Sequence, residues 1–161
     1  MVEFLNYFGY NEEKGGASMF VSTRGRYALR VMIDLAENQG DGYLPLKEIA
    51  QRQEISEKYL ESILKTLVQN KFLTGLRGKG GGYRLTRRPD EYTVGSILRL
   101  TEGSFAAVSC LTGEEQGCSR MSQCRTLPMW QELDRRVNEY LDSVTLQDLA
   151  FPPQPGNDYV I

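Results

Sequence analysis

The decapeptide LRGKGGGYRL, Leu76 to Leu85, constrains this chain more than any other stretch. Four glycines and three basic residues sit between two apolar runs, and such loops commonly meet phosphates. A loop that cradles a nucleotide needs a buried strand before it, a helix opening directly from the glycines, and a Lys-Ser/Thr pair. Here Gly80, Gly81 and Gly82 lead into YRLTRRPD, where Pro89 and Asp90 break the chain. The flanking segments KFLTGLRG and GYRLTR are strand-like, so the glycines mark the tip of a hairpin. The phosphates it faces are those of a nucleic-acid backbone, with Arg77, Lys79 and Arg84 on the hairpin and Gly80 and Gly81 allowing close approach.

What precedes the hairpin fixes its meaning. STRGRYALRVMIDLAENQG reads as a helix that Ser22 or Thr23 can cap, with Ala28, Val31, Met32, Leu35 and Ala36 at helical spacing and Gly40 at its end. A short helix at about Leu46–Gln53 follows, with Leu46, Ile49 and Ala50 on one side. Ser56 then caps another helix, on which Tyr59, Leu60, Ile63, Leu64 and Leu67 form an apolar stripe. Two short helices joined by a tight turn make a helix-turn-helix, and a basic hairpin after it makes a winged helix.

Charge supports the same division. Residues 19–92 hold 13 basic against 9 acidic residues, whereas residues 93–161 hold 5 against 9, in a chain of net charge −2. Residues 62–89 carry Lys65, Lys71, Arg77, Lys79, Arg84, Arg87 and Arg88 with no acid. A cationic segment in an acidic chain predicts an anionic partner for one part only. No apolar run approaches the ~20 residues needed to cross a bilayer. The first residues lack the basic start and apolar core of a secretory signal, so a cytoplasmic location is expected.

Beyond the hairpin, YTVGSILRLTEG predicts a helix capped by Thr93. LPMWQELDRRVNEYLDSVTLQDLA predicts a long helix with Pro128 in its first turn, then a short one starting at Thr145. Trp130, Leu133, Val137 and Leu141 line one face of the long helix. A second copy of the same helix is the first candidate to cover them, because operator-binding proteins pair about a two-fold axis; packing against its own winged helix is the alternative. FPPQPGNDYVI reads as an extended tail.

Between these helices lie all three cysteines, in SCLTGEEQGCSRMSQCR. Cys110, Cys118 and Cys124 occupy a polar, glycine-bearing stretch without periodicity, unlike buried structural cysteines. An odd count in a chain expected to be cytosolic argues against a disulfide framework and for metal or redox chemistry. Structural zinc sites favour closer pairs of cysteines. Three thiolates suit an iron–sulfur cluster with a fourth ligand from elsewhere. That ligand is not an imidazole of this chain, which has no His.

Taken together, STRGRYALRVMIDLA, ISEKYLESILKTLVQNKFL, RGKGGGYRL and TLQDLA resemble the successive signatures of the Rrf-type family of bacterial winged-helix regulators, over about residues 19–150. The resemblance implies a mainly α fold with a small β-wing: a winged helix-turn-helix at 19–92, a connecting helix and cysteine-bearing sensor segment at 93–126, a dimerisation helix and short terminal helix at 127–150, and an extended tail at 151–161. The family pattern opens at a Met matching Met19, so residues 1–18 read as an extension, disordered or non-native. The family's operator contacts fall at Lys58 and Glu61 on the recognition helix and at Arg77 on the wing, and Ser56, Tyr59 and Lys65 of the same helix are further candidate contacts. Glu61 would read base edges and Arg77 the minor groove, while Lys58 replaces a contacting serine and would meet a phosphate.

The resemblance also implies a 2Fe–2S or 4Fe–4S cluster on Cys110, Cys118 and Cys124. One branch of the family takes its fourth ligand from a His where this chain has Leu127, and another from an Asp where it has Arg26. Glu114 or Glu115, an exchangeable ligand, or direct oxidation of the thiols are the remaining options. The expected function is a homodimeric repressor, not an enzyme, whose binding to a double-stranded operator responds to that cluster or to thiol state. A redox enzyme is the competing class, yet the chain shows no nucleophile–base pair or cofactor motif. Within the family, cysteine-metabolism repressors bind cysteine synthase, whose active site accepts a C-terminal peptide ending in Ile. Tyr159, Val160 and Ile161 imply the same partner, in a regulator without a cluster.

Overall fold

The computed structural model describes residues 21–112 and 118–153. Among them six α-helices and one antiparallel hairpin run in the order α1 (Thr23–Asn38), α2 (Leu46–Gln53), α3 (Glu57–Gln69), β1 (Leu73–Leu76), β2 (Gly82–Leu85), α4 (Val94–Glu102), α5 (Leu127–Ser143) and α6 (Leu146–Ala150). Short 3₁₀ turns at Pro89–Glu91, Ser109–Leu111 and Met121–Gln123 complete the path.

Hydroxyl caps set most of the helix starts. Ser22 accepts from the Gly25 amide, Ser56 from Tyr59, Thr93 from Ser96, and Thr145 from Asp148. Each satisfies one of the amides a helix start leaves without a partner. At α6 the Asp148 carboxylate reaches back to the Thr145 amide as well, closing a capping box.

The main core gathers Ala28, Val31, Met32 and Leu35 of α1, Ile49 of α2, and Leu60, Ile63, Leu64 and Leu67 of α3. Leu73 and Leu85, paired across the hairpin, close it from below, and Ile97 and Leu146 seal the side. A second cluster forms where Val94, Leu98 and Phe105 meet Val21, Leu29, Val137, Leu141 and Val144.

That second cluster supplies the intrachain covering expected as the alternative for the long helix: Val137 and Leu141, each partly buried, pack on α4 of their own chain. Arg99 reinforces the joint, with Nη1 and Nη2 donating to the two carboxylate oxygens of Asp142 at 2.7 and 2.8 Å and Nη2 to Asn138 at 2.8 Å. Trp130 and Leu133, nearer the start of α5, remain half-buried.

Two polar centres hold the helices α1–α3 and the hairpin together. Asp34, 2% exposed, accepts from Nε and Nη2 of Arg52 and from the Gln53 amide, tying α1 to the end of α2. Arg30 adds bonds from α1 to the Gln53 side chain and carbonyl. A buried carboxylate is tolerated because its oxygens are occupied by these donors. Tyr92 is the other centre. Its hydroxyl donates to the Phe72 carbonyl (2.9 Å) and accepts from the amides of Thr86 (3.0 Å) and Arg87 (2.9 Å), so one phenol oxygen pins both legs of the wing.

Candidate nucleic-acid interface

The recognition helix presents its outer face because its inner face is fully committed. Leu60, Ile63, Leu64 and Leu67 are each 0% exposed, and helical geometry turns Lys58, Glu61 and Lys65 outward. Two expected contact residues are engaged locally. The Ser56 hydroxyl caps the helix, and the half-buried Tyr59 ring meets Tyr27 edge-on at 6.0 Å between centroids. Arg24 of α1 fixes the helix from behind, donating to the Ser62 carbonyl at 3.0 Å and to Thr66 Oγ1 at 2.8 Å.

The wing is positioned as firmly. Its strands pair Leu73 with Leu85 and Leu76 with Gly82. Tyr83 exchanges amide–carbonyl bonds with Leu44, at 2.8 and 2.9 Å, which docks the hairpin against the segment before α2. Gly82 makes this possible: its φ is 152°, and a Cβ there would lie 2.1 Å from the Leu44 carbonyl oxygen.

Between α3 and the wing lies a groove lined by Glu61 and Lys65 on one wall and by Leu76, Arg77, Gly81 and Tyr83 on the other. Burial, and secondarily the Glu61 carboxylate, push the Tyr83 phenol above its ordinary pKa, and Arg77 opposes them. Carboxylate, phenol and guanidinium thus act within one electrostatic neighbourhood. Lys79 and Gly80 are exposed at the hairpin tip. Arg84 is not in the groove. It stands over the Tyr43 ring at 5.6 Å and lines a separate concavity with Asp41, Arg87 and Arg88. The cause is register: Arg84 pairs with Thr74, one residue out of phase with Tyr83, and successive strand side chains point to opposite faces.

The cysteines occupy irregular chain between α4 and α5. Cys110 lies in the turn Ser109–Leu111 and is half-buried, Cys118 is exposed, and Cys124 is half-buried just before α5. Cys124 Sγ lies 3.3 Å from Thr126 Oγ1, and bonds from the Thr126 hydroxyl and amide hold its thiol below the ordinary pKa. By donor chemistry three thiols fit three corners of an iron–sulfur cluster. Among the described residues, however, no three Cys, Asp or Glu side chains are gathered as a ligand group. Glu114 and Glu115 lie outside the described residues, as do residues 1–18 and the terminal Tyr159, Val160 and Ile161. Leu127 opens α5, and Arg26 is exposed and bonded to Thr23.

Four structural residues went unmarked in the sequence reading: Arg24, Asp34, Tyr92 and Glu102. Each acts through a contact 18 or more positions away, as Arg24 with Ser62 and Asp34 with Arg52 illustrate. Local spacing carries no signal for such pairs. No helix among the described residues is long and apolar enough to cross a membrane.

Helix-turn-helix, docked hairpin and intervening basic groove define a winged-helix DNA-binding protein. Comparison with protein families matches residues 21–152 to Rrf2, described as an iron-dependent transcriptional regulator. The chain belongs to this family of winged-helix transcriptional regulators. It is 38% identical over 132 residues to the HTH-type transcriptional regulator IscR of Sodalis glossinidius, covering 82% of this chain and 79% of that one. Among solved structures it resembles CymR, the global cysteine regulator of B. subtilis, with a TM-score of 0.68, 38% identity, and coverage of 84% and 98% of the two chains. IscR of T. potens superposes with a TM-score of 0.64 at 35% identity, covering 81% of this chain and 85% of that one.

Proposed function

We propose that this protein is a homodimeric repressor that grips operator DNA with two copies of the α3–wing groove and changes its grip with the state of its cysteine segment. The observation that carries the reading is the convergence of Glu61 and Lys65 from α3 with Arg77 from the wing on one open groove. In a duplex, α3 enters the major groove, where a Glu61 carboxylate accepts from the exocyclic amine of cytosine. Arg77 on the adjacent wing reaches the minor groove, where narrowness deepens the negative potential. Lys58, Lys65 and Lys79 meet phosphates, which positions the protein without reading sequence. Gly80 and Gly81 let the wing tip approach the backbone closely.

Pairing of two protomers sets the spacing of the two recognition helices. Trp130 and Leu133, half-buried in one protomer, supply apolar surface near the start of α5 for that pairing. Cys110, Cys118 and Cys124 would hold three corners of an iron–sulfur cluster, which when bound supplies a centre sensitive to iron, oxygen and nitric oxide. Hydrogen bonds from Thr126 shift Cys124 toward the thiolate, the form a metal ligand requires. The segment ordered by those thiolates joins α4 to α5, so its state reaches both the DNA-binding half and the pairing helix.

Arg77→Ala is expected to weaken specific operator binding by ~1–3 kcal/mol, as for loss of one good base contact. A footprint unchanged by this substitution would remove the wing from the interface. Anaerobic purification followed by an absorption spectrum with iron and sulfide counts tests the sensing half. Colourless, iron-free protein whose repression ignores Cys118→Ala disposes of the cluster.

The likeness to a cysteine regulator favours a second reading, control by cysteine supply without a cluster; the route proposed for it, from the sequence of the tail alone, is capture of the Ile161 carboxylate by cysteine synthase. Retention of cysteine synthase by the full chain but not by a chain lacking Ile161 is the expected result. Equal retention by both rules it out.

A further inference from the structure

We propose that Glu102 is a positioning residue that couples the cysteine-bearing segment to the recognition helix through the first turn of α1. The proposal deepens the regulatory reading above and rests on it for its biological meaning. Glu102 is the last residue of α4, and Gly103, at a φ of 75°, begins the stretch that carries Cys110, Cys118 and Cys124. Its Oε1 accepts from the Ser22 hydroxyl at 2.6 Å and lies 3.2 Å from the Thr101 hydroxyl, whose proton is shared with the Leu98 carbonyl at 2.9 Å. Ser22 Oγ in turn accepts from the Gly25 amide at 3.1 Å. A hydroxyl can donate and accept at once, so the cap of α1 and the end of α4 share one relay. The carboxylate also brings negative charge to a helix N-terminus, where it is favoured.

Gly25 shows that the seat is shaped for this carboxylate. A Cβ there would lie 2.3 Å from Glu102 Oε1, and 3.0 and 3.1 Å from Val21 Cγ1 and Thr101 Oγ1. The glutamate fills the space a side chain would occupy. The neighbouring residue, Arg24, donates to Ser62 and Thr66, whose positions on α3 adjoin Glu61 and Lys65 in the groove. One turn of α1 therefore touches the end of α4, which leads directly into the cysteine segment, on one side and the recognition helix on the other. Phe105 and Ala106, 7% and 2% exposed, anchor the segment two residues past Gly103. A change at Cys110, eight residues beyond Glu102, reaches the carboxylate through Phe105 and Ala106, and the seated or displaced carboxylate sets how α1 holds α3.

The test uses the full chain, reduced and anaerobic, as wild type, Glu102→Gln and Gly25→Ala. The alanine leaves the glutamate in place but occupies its seat, and it favours helix over glycine. Hydrogen–deuterium exchange is read at the first turn of α1 and at residues 62–66. The Kd for DNA of its own promoter is read before and after alkylation of the cysteines with N-ethylmaleimide. In both variants exchange at those amides is expected to rise about tenfold, with α2 and the hairpin unchanged. Alkylation is expected to shift the wild-type Kd about fivefold or more, and the variants' Kd about twofold or less. Unchanged α3 exchange in both variants overturns the proposal. A uniform rise across α2 and the hairpin also overturns it, because that marks general loss of stability. Wild-type affinity indifferent to alkylation, with α3 exchange raised in the variants, supports the coupling and sinks the sensing role of the cysteines instead.

Discussion

Helices α3 and α5 are both amphipathic and of similar length, yet they are held in different ways. The recognition helix buries four leucine and isoleucine side chains completely, whereas α5 has no buried residue along its 17 positions. Its hold on the protomer comes from Val137 and Leu141 on α4 and from the Arg99–Asp142 pair. Its outer side carries Arg135 and Arg136 bridged to Glu132 and Glu139. Exposed pairs of this kind contribute little to stability. The DNA-reading half is thus complete within one protomer, and α5 is left with surface to share.

The comparison can be broken most directly in the core. Leu64→Ala, at a fully buried position of α3, is expected to cost about 2–5 kcal/mol in denaturant unfolding. Leu133→Ala on α5 is expected to cost far less within the protomer and to appear as weaker pairing in sedimentation. Equal losses of stability would abolish the distinction. Next comes Asp34→Ala, which leaves the Arg52 guanidinium and the Gln53 amide without their acceptor. A loss of about 2–4 kcal/mol is expected, moderated because Arg52 is partly in solvent.

Smaller effects sharpen the picture at the joint between α4 and α5. Arg99→Ala is expected to cost about 1 kcal/mol or less, because both partners are partly exposed. Its signature is a change in pH dependence. The Arg99 bond holds the Asp142 carboxyl below its ordinary value near 3.9. With the folded value depressed, this contribution is fully present above about pH 4 and is lost as pH falls through the lower folded value. Trp130 fluorescence should report loosening of α5 in that acid window in wild type. Arg99→Ala should flatten the response, and an identical acid profile in both would remove the pair from the joint.

The elements were legible in the sequence because the signals that set them are local. Serine and threonine caps at Ser22, Ser56, Thr93 and Thr145 fall at the helix starts. The glycines at 78–82 mark the turn of the wing. The groove was half legible, since Glu61, Lys65 and Arg77 meet there. That Arg84 lies outside the groove was not legible, because the face of a strand depends on register and the pairing of Arg84 with Thr74 is not written in either strand alone. Tyr59 was placed by an aromatic partner on another helix, and Val137 and Leu141 by a face of α4. A stripe of apolar residues announces that something covers it without saying what. The cysteines are the reverse case: their chemistry is legible and their gathering is not.

Tyr92 has one more consequence. Besides fastening the wing through its hydroxyl, it offers its backbone carbonyl to the Leu146 amide at 2.8 Å. The closing helix and the DNA-probing hairpin are thereby riveted to a single side chain and its own peptide group. Strain reaching α6 is delivered to the hairpin's foot, while the Tyr83–Leu44 bonds brace the hairpin nearer its tip.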